Sequence, residues 1–216
     1  MTPKTNLNTC VELRYLVSDP VKLRNFLKTG VYVTTQDLED IYYDFKDFLL
    51  LRKGIFIRSR NQNILQIKFS LDDLLGDKIG PHEAAETYTF LLPFVFEERK
   101  KLQSILSILD LVSPIRPTLP TFLKINHLEA YVKTKKKREI YVKDSSIFHL
   151  DAIEKLEPIL EITQQINGQE EVSSTKAEME QLVATLHLEK TILGPLEIYL
   201  RKYQPEIYQL GKYKVE

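Results

Sequence analysis

An α+β fold built on an antiparallel sheet is what this sequence predicts, and three observations point there. Several short segments alternate apolar and polar residues with the period of two that a half-buried strand requires. Stretches with helical spacing interrupt runs of such strands singly and return at the end, instead of alternating with each strand. Proline, glycine and Asp or Asn residues fall between these segments, where turns need them.

Thr9 to Val17 opens the pattern, with Cys10, Glu12 and Arg14 on one face and Val11, Leu13 and Tyr15 on the other. Ser18-Asp19-Pro20 is a helix start, followed by Val21, Leu23, Phe26 and Leu27 and closed by Gly30. Leu38 to Phe45 reads as a strand. Gly54–Arg60 and Ile64–Phe69 read as a hairpin about the polar turn Asn61-Gln62-Asn63. Alternation puts Phe56, Arg58 and Arg60 on one face of its first arm. In the second arm Gln66 and Lys68 share a face, while Leu65, Ile67 and Phe69 take the other.

Ser70 to Ala85 is a polar excursion, and Glu86 to Leu92 a further strand. Pro93 opens a helix with Phe94, Leu102, Ile105, Leu106 and Leu109 at helical spacing, expected to pack outside the sheet. Pro114, Pro117 and Pro120 punctuate a rigid loop. Strand patterns return over Leu128–Thr134, Arg138–Lys143, Ile147–Leu150 and Ile159–Gln164. Two helical patterns close the chain, one through Met179, Leu182, Val183 and Leu186, the other through Leu196, Tyr199, Leu200, Tyr203 and Ile207.

Composition narrows the function. The 216 residues are 43% hydrophobic and 28% charged with formal net charge zero, an ordinary globular balance. A basic excess, the usual mark of wholesale nucleic-acid binding, is missing. The six residues Lys133 to Arg138 include five cations and are the best argument for RNA; such a run is more often a solvated strand or turn. Cys10 is the single cysteine, so neither an internal disulfide nor a multi-cysteine zinc site is available. No apolar run approaches membrane-spanning length and the start lacks a signal-peptide core, so no membrane partner and a cytoplasmic location are expected. Gly-rich phosphate loops, dinucleotide fingerprints, His-Glu-x-x-His helices and Gly-x-Ser-x-Gly elbows are absent from the sequence. Phosphate binding would therefore need side-chain cations.

The polar faces of the strands are ionic. Their cations are Arg14, Arg58, Arg60, Lys68, Lys133, Lys135 and either Lys137 or Arg138; their carboxylates are Glu12, Glu86, Asp151 and Glu161. On an open sheet these are solvated charges. In a closed barrel they would face inward, where they must be paired or hold a ligand. Arginine forks and lysine point charges suit a polyphosphate, and carboxylates suit a divalent cation.

The segment Tyr42-Tyr43-Asp44-Phe45-Lys46-Asp47-Phe48-Leu49-Leu50-Leu51-Arg52-Lys53-Gly54-Ile55-Phe56-Ile57-Arg58-Ser59-Arg60 resembles the signature hairpin of the CYTH superfamily, the triphosphate tunnel metalloenzymes. Gly80-Pro81-His82 and the ending from Leu196 to Gln209 are similar to the thiamine triphosphatase branch. The resemblance runs from about Cys10 to the C-terminus. It implies a closed antiparallel eight-stranded β-barrel with helices outside, formed by one domain over residues 1–216, with 1–8 flexible. It implies hydrolysis of organic or inorganic triphosphates with Mg²⁺ or Mn²⁺.

The family's Glu-x-Glu-x-Lys is matched by Cys10-Val11-Glu12-Leu13-Arg14, so one carboxylate is replaced by a thiol. Its Arg-x-Arg is matched by Arg58 and Arg60, its next lysine by Lys68, and its late basic strand by Lys133-Thr134-Lys135-Lys136. Its second Glu-x-Glu is matched by Glu161-Ile162-Thr163, again one carboxylate short, with Asp151 ahead of it and His149 on the same face as Asp151. The implied phosphate ligands are Arg14, Arg58, Arg60, Lys68, Lys133, Lys135 and Lys136. The implied metal ligands are Glu12 and Glu161 with Asp151 or Glu86, and the implied catalytic groups Glu12, Arg14 and Lys68. Two alternatives stay open: a triphosphate-binding protein with weakened catalysis, and an adenylate cyclase using the same tunnel.

Overall fold

The computed structural model describes residues 9–71, 74, 86–95, 98–115, 118–166 and 171–215. The expected flexible segment 1–8 and the Gly80-Pro81-His82 loop lie outside them. Strands are β1 (Thr9–Leu16), β2 (Val31–Asp44), β3 (Phe56–Arg60), β4 (Ile64–Phe69), β5 (Glu86–Leu91), β6 (Glu129–Lys143), β7 (Ser146–Ile153), β8 (Ile159–Ile166) and β9 (Glu189–Thr191). Helices are α1 (Pro20–Leu27), α2 (Leu49–Arg52), α3 (Arg99–Ile108), α4 (Leu119–Ile125), α5 (Val172–Val183), α6 (Pro195–Tyr203) and α7 (Pro205–Tyr208).

The strands hydrogen-bond in the order β5-β4-β3-β2-β6-β7-β8-β1-β9. The α+β class holds, but the eight-stranded closed barrel is corrected to an open sheet of nine. A strand has two edges, and those of β1 are taken by β8 and by β9. Among the described residues β5 pairs with β4 alone. The added strand β9 is three residues, Glu-Lys-Thr, too short to show alternation in the sequence.

Contacts divide the chain into two compact units. One comprises Met1–Asp37 and Lys136–Ile198. Its core is Val11, Leu13 and Tyr15 of β1, Phe148 and Leu150 of β7 and Leu160 and Ile162 of β8, covered by Leu23 and Leu27 of α1 and Met179 and Val183 of α5. Helix α1 starts where expected. The Asp19 carboxylate accepts from the Val21 and Lys22 backbone N–H groups at 3.1 and 2.9 Å, with Pro20 in the first turn.

The other unit comprises Leu38–Lys135 and Tyr199–Glu216. Ile57, Leu65, Ile67, Phe69 and Phe90 of β3–β5 pack with Leu102, Ile105 and Leu106 of α3 and Phe122 of α4. Helix α3 thus covers the apolar face of these strands, as its spacing predicts, though it begins at Arg99 and not at Pro93. Pro120, read as part of a rigid loop, instead lies in the first turn of α4, capped by the Thr118 hydroxyl.

Two strands are longer than predicted. β2 begins at Val31, seven residues early, through a solvent-facing stretch without an apolar face. β6 runs unbroken through Lys133–Arg138, because successive lysines go to opposite faces and like charges are thereby separated.

Asp44 ends β2 as a buried hub. Its carboxylate accepts from the backbone N–H groups of Phe45, Leu50 and Leu51 at 2.7, 2.9 and 2.8 Å, so it fixes the turn into β3. Burial raises its pKa from 3.8 to about 6, more than the three N–H donors lower it. The native state therefore holds more protons than the unfolded chain between those values, and this group's stabilising contribution is lost as pH rises through them. Urea unfolding followed from pH 4 to pH 6 should show wild type losing stability relative to Asp44→Asn across that window. A constant difference would contradict the assignment.

Candidate functional site

Antiparallel pairing aligns the polar residues of β2–β5 on the face opposite the core. Asp40 stands across from Arg60, Tyr42 from Arg58, Arg58 from Gln66, and Gln66 from Thr89. Lys68, across from Phe56, shares the parity of Gln66. Asp40, missed by sequence reasoning, is 2% exposed and organises the group. Its oxygens accept from Arg60 Nε and NH2 at 2.8 and 2.9 Å, a bidentate pair, and from Arg58 NH1 at 3.3 Å. Arg58, Arg60 and Lys68 thus fall on this face, and the two arginines meet at its buried carboxylate. The signal for Asp40 was its parity with Tyr42 and Asp44 against Ile41 and Tyr43.

The other unit repeats the device. Asp151 on β7 stands across from Arg138 on β6 and is 1% exposed. It accepts from Arg138 Nε and NH2 at 2.6 and 2.7 Å and from Lys136 Nζ at 2.6 Å. In both units a cation-x-cation strand meets an Asp on its neighbour. The directly opposite arginine makes the fork, and the cation two residues earlier makes the diagonal bond. Burial would raise the Asp151 pKa; the Arg138 bonds and the Lys136 and Arg138 charges outweigh it and hold the carboxyl below its usual range.

Beside this cluster, Glu12 and Arg14 on β1 and Glu161 and Thr163 on β8 share the same face, with Glu12 across from Thr163 and Arg14 from Glu161. Arg14 pairs with Glu12 and, at 3.4 Å, with Glu161. Glu161 also meets Arg138 at 3.6 Å and His149 Nδ1 at 3.3 Å. Burial opposes its ionisation, but the His149 bond and the charges of Arg138, Arg14 and Lys136 keep it well below the ordinary range. Among the described residues three cations here meet three carboxylates.

Several expected ligands fall elsewhere. Lys133 and Lys135 lie on the opposite face of β6 from Lys136 and Arg138 and are exposed; Lys133 pairs with Glu39 at 2.9 Å. Glu86 lies across from Phe69, on the core side of β5, where the Tyr88 hydroxyl donates to it. The cause is parity in each instance: one residue's shift along a strand reverses its face.

Mg²⁺ and Mn²⁺ want several hard oxygen ligands in octahedral array. This face offers Glu12 and Glu161, both engaged by Arg14, and Asp151, engaged by Lys136 and Arg138. Among the described residues no three His, Cys, Asp or Glu side chains form a group able to hold a metal. The residues present do not fit a ready-made divalent-metal site.

Asp151 is the anchor of its cluster, so Asp151→Ala should cost about 3–5 kcal/mol in urea unfolding at neutral pH by removing the buried carboxylate that Lys136 and Arg138 share. Lys133→Ala should stay within about 0.5 kcal/mol of wild type. Equal effects would show that the two faces of β6 do not differ as described.

The CYTH domain model matches residues 8–193, well over half of the chain. No curated protein matches it. Among solved structures, the protein PH1819 of Pyrococcus horikoshii OT3 is similar at 18% identity and TM-score 0.59, covering 89% of this chain and 99% of that one. A candidate adenylate cyclase of Vibrio parahaemolyticus is similar at 17% identity and TM-score 0.58, covering 89% and 98%. The Hippeastrum protein HpAC1, a candidate adenylyl cyclase described as having a dominant triphosphatase activity, is similar at 14% identity and TM-score 0.54, covering 89% and 95%. At these identities the likeness is one of fold. No helix among the described residues is long and apolar enough to cross a membrane.

Proposed function

Because this chain belongs to the CYTH domain family, we propose that it binds the phosphate chain of organic or inorganic triphosphates. The observation that carries the reading is the gathering of cations on the β2–β5 face, where Arg58 and Arg60 meet at the buried carboxylate of Asp40 and Lys68 has the same parity. Bound phosphate oxygens would meet guanidinium forks and an ammonium held on a rigid sheet, with little side-chain entropy left to lose. Arg14, Lys136 and Arg138 are further cations for the same ligand class, each already beside a carboxylate.

A second reading is metal-dependent hydrolysis of the thiamine triphosphatase kind. It is favoured by Glu12 and Glu161, which share a face on adjoining strands as the first two members of a carboxylate set. Without the other members, turnover should be slow. The cyclase reading needs a purine pocket, and no feature described above supplies one.

Calorimetry with inorganic tripolyphosphate in EDTA should show binding that weakens with salt and falls at least about tenfold in Arg58→Ala. Absence of binding to tripolyphosphate, ATP and thiamine triphosphate would end the proposal. Phosphate release with Mg²⁺ or Mn²⁺ should rise when Cys10→Glu and Thr163→Glu are combined. Fast release by the unaltered protein would instead establish the hydrolase outright.

A further inference from the structure

The first half of β2 is an edge of the unit to which it belongs. β2 has β3 and β6 as neighbours, and its register with β3 runs from Asp40 to Tyr43. Among the described residues no strand is registered against the β3 side of Val31–Asp37. The start of β2 lies close on the end of β6, where a Cβ on Gly30 would stand 2.6 Å from the Val142 carbonyl oxygen. An edge strand turns alternate N–H and C=O groups away from its one neighbour, and that row is a template for a further strand.

The sequence does nothing to blunt this edge. Edges are ordinarily protected by lysine or other charges, by proline, or by being short. Thr29 to Gln36 reads Thr-Gly-Val-Tyr-Val-Thr-Thr-Gln, without a charge or a proline. Its β-branched and aromatic residues favour an extended strand. Val31, Tyr32 and Val33 are 67%, 54% and 54% exposed. Val142 on β6 and Ile147 on β7 stand across from each other and continue the exposed apolar surface, at 38% and 39%. Exposed apolar groups gathered in one place, instead of scattered singly, mark an interaction surface.

The strand that fits this edge best is its own copy. Laid antiparallel on a second chain with Val33 at the two-fold axis, Val33 faces Val33, Tyr32 faces Thr34 and Val31 faces Thr35. Each of these pairs joins β-branched or aromatic residues, and no like charges meet. The first charges beyond the neutral run are Lys28 at its start and Asp37 at its end, both exposed. Antiparallel pairing brings the start of one copy to the end of the other, so Lys28 of each comes beside Asp37 of the other. Parallel pairing would set Asp37 against Asp37. A contact in which each copy offers the same residues is also what a closed two-fold dimer requires.

We propose that Val31–Asp37 is a self-association edge, through which two copies of this chain join by antiparallel strand pairing about Val33. The inference goes beyond the triphosphate reading and does not depend on it. A single strand pair with a few apolar neighbours buries less than the roughly 1,200–2,000 Å² of a standard stable interface, so the dimer is of the weak, reversible class.

Sedimentation equilibrium of the full chain from about 1 µM to about 200 µM should show the 25.2 kDa mass rising towards twice its value. Val33→Lys and Val33→Glu, both at an exposed position, should each stay monomeric, because each sets like charges face to face. Mixed in equal amounts, the two variants should regain the doubled mass, since opposite charges then face each other. Backbone amide exchange within Val31–Asp37 should slow as wild type is concentrated, a readout that needs no variant to fold. Wild type that stays monomeric across the range leaves the edge to some other chain and overturns the proposal. A Val33→Lys protein that associates as wild type does places the contact elsewhere and overturns it as well. So does a mixture of the two variants that stays monomeric, or exchange in Val31–Asp37 that does not change with concentration.

Discussion

Like charges on alternate residues of a strand stand about 7 Å apart on one face, and a sheet can carry them there only where something takes up their repulsion. Here that is a buried aspartate on the neighbouring strand. Asp40 does it for Arg58 and Arg60, Asp151 for Lys136 and Arg138. The antiparallel register makes the arrangement possible, because one position faces the carboxylate squarely and the next cation on that face lies diagonally within reach. Without the aspartate each pair would turn its side chains to bulk water, and the strand would lose the fixed ionic surface on which any ligand binding depends.

Three carboxylates of the sheet, Asp44, Asp151 and Glu161, divide the response to acid. Asp44 accepts only neutral N–H donors, so burial prevails and its pKa rises to about 6. Asp151 is buried too and Glu161 half-buried, but guanidinium and ammonium groups lie against them and their pKa values fall. Burial is common to all three; the charge of the partner decides the sign. The turn that fixes β3 and the ionic faces themselves are thus held by opposite protonation regimes of one residue class.

Much of the fold was legible where alternation is unambiguous. In the hairpin, Ile57, Leu65, Ile67 and Phe69 leave one possible core face, so Arg58, Arg60, Gln66 and Lys68 could be assigned to the other before any coordinates. In β6 this guide fails. With five cations among the six residues 133–138, either parity looks equally ionic, and only the pairing of Arg138 with Asp151 selects Lys136 over Lys133 and Lys135. Asp40 escaped for a related reason: it is one of four acids between Asp37 and Asp44, and sequence does not show which meets a pair of arginines. Three-residue β9 carries no pattern to read, and with it went the edge that leaves the sheet open.

Charge balance bears on what the two ionic faces can do. On β2–β5 two arginines meet at one buried carboxylate, and Arg58 has neutral acceptors beside it as well. Among the described residues of β1, β6, β7 and β8 three cations meet three carboxylates. A divalent cation entering there would have to draw Glu12 and Glu161 away from Arg14, and separating a desolvated pair costs about 3–5 kcal/mol before any metal–oxygen bond forms. An anion entering there faces the mirror-image cost, since Arg14 and Arg138 must leave carboxylates to receive it. On the β3 hairpin Arg58 is held by a tyrosine hydroxyl and an amide as well as by its share of Asp40. Neutral acceptors fix the plane of a guanidinium and a carboxylate also takes up its charge; Arg58 has partners of both kinds, whereas Arg60 has the carboxylate fork.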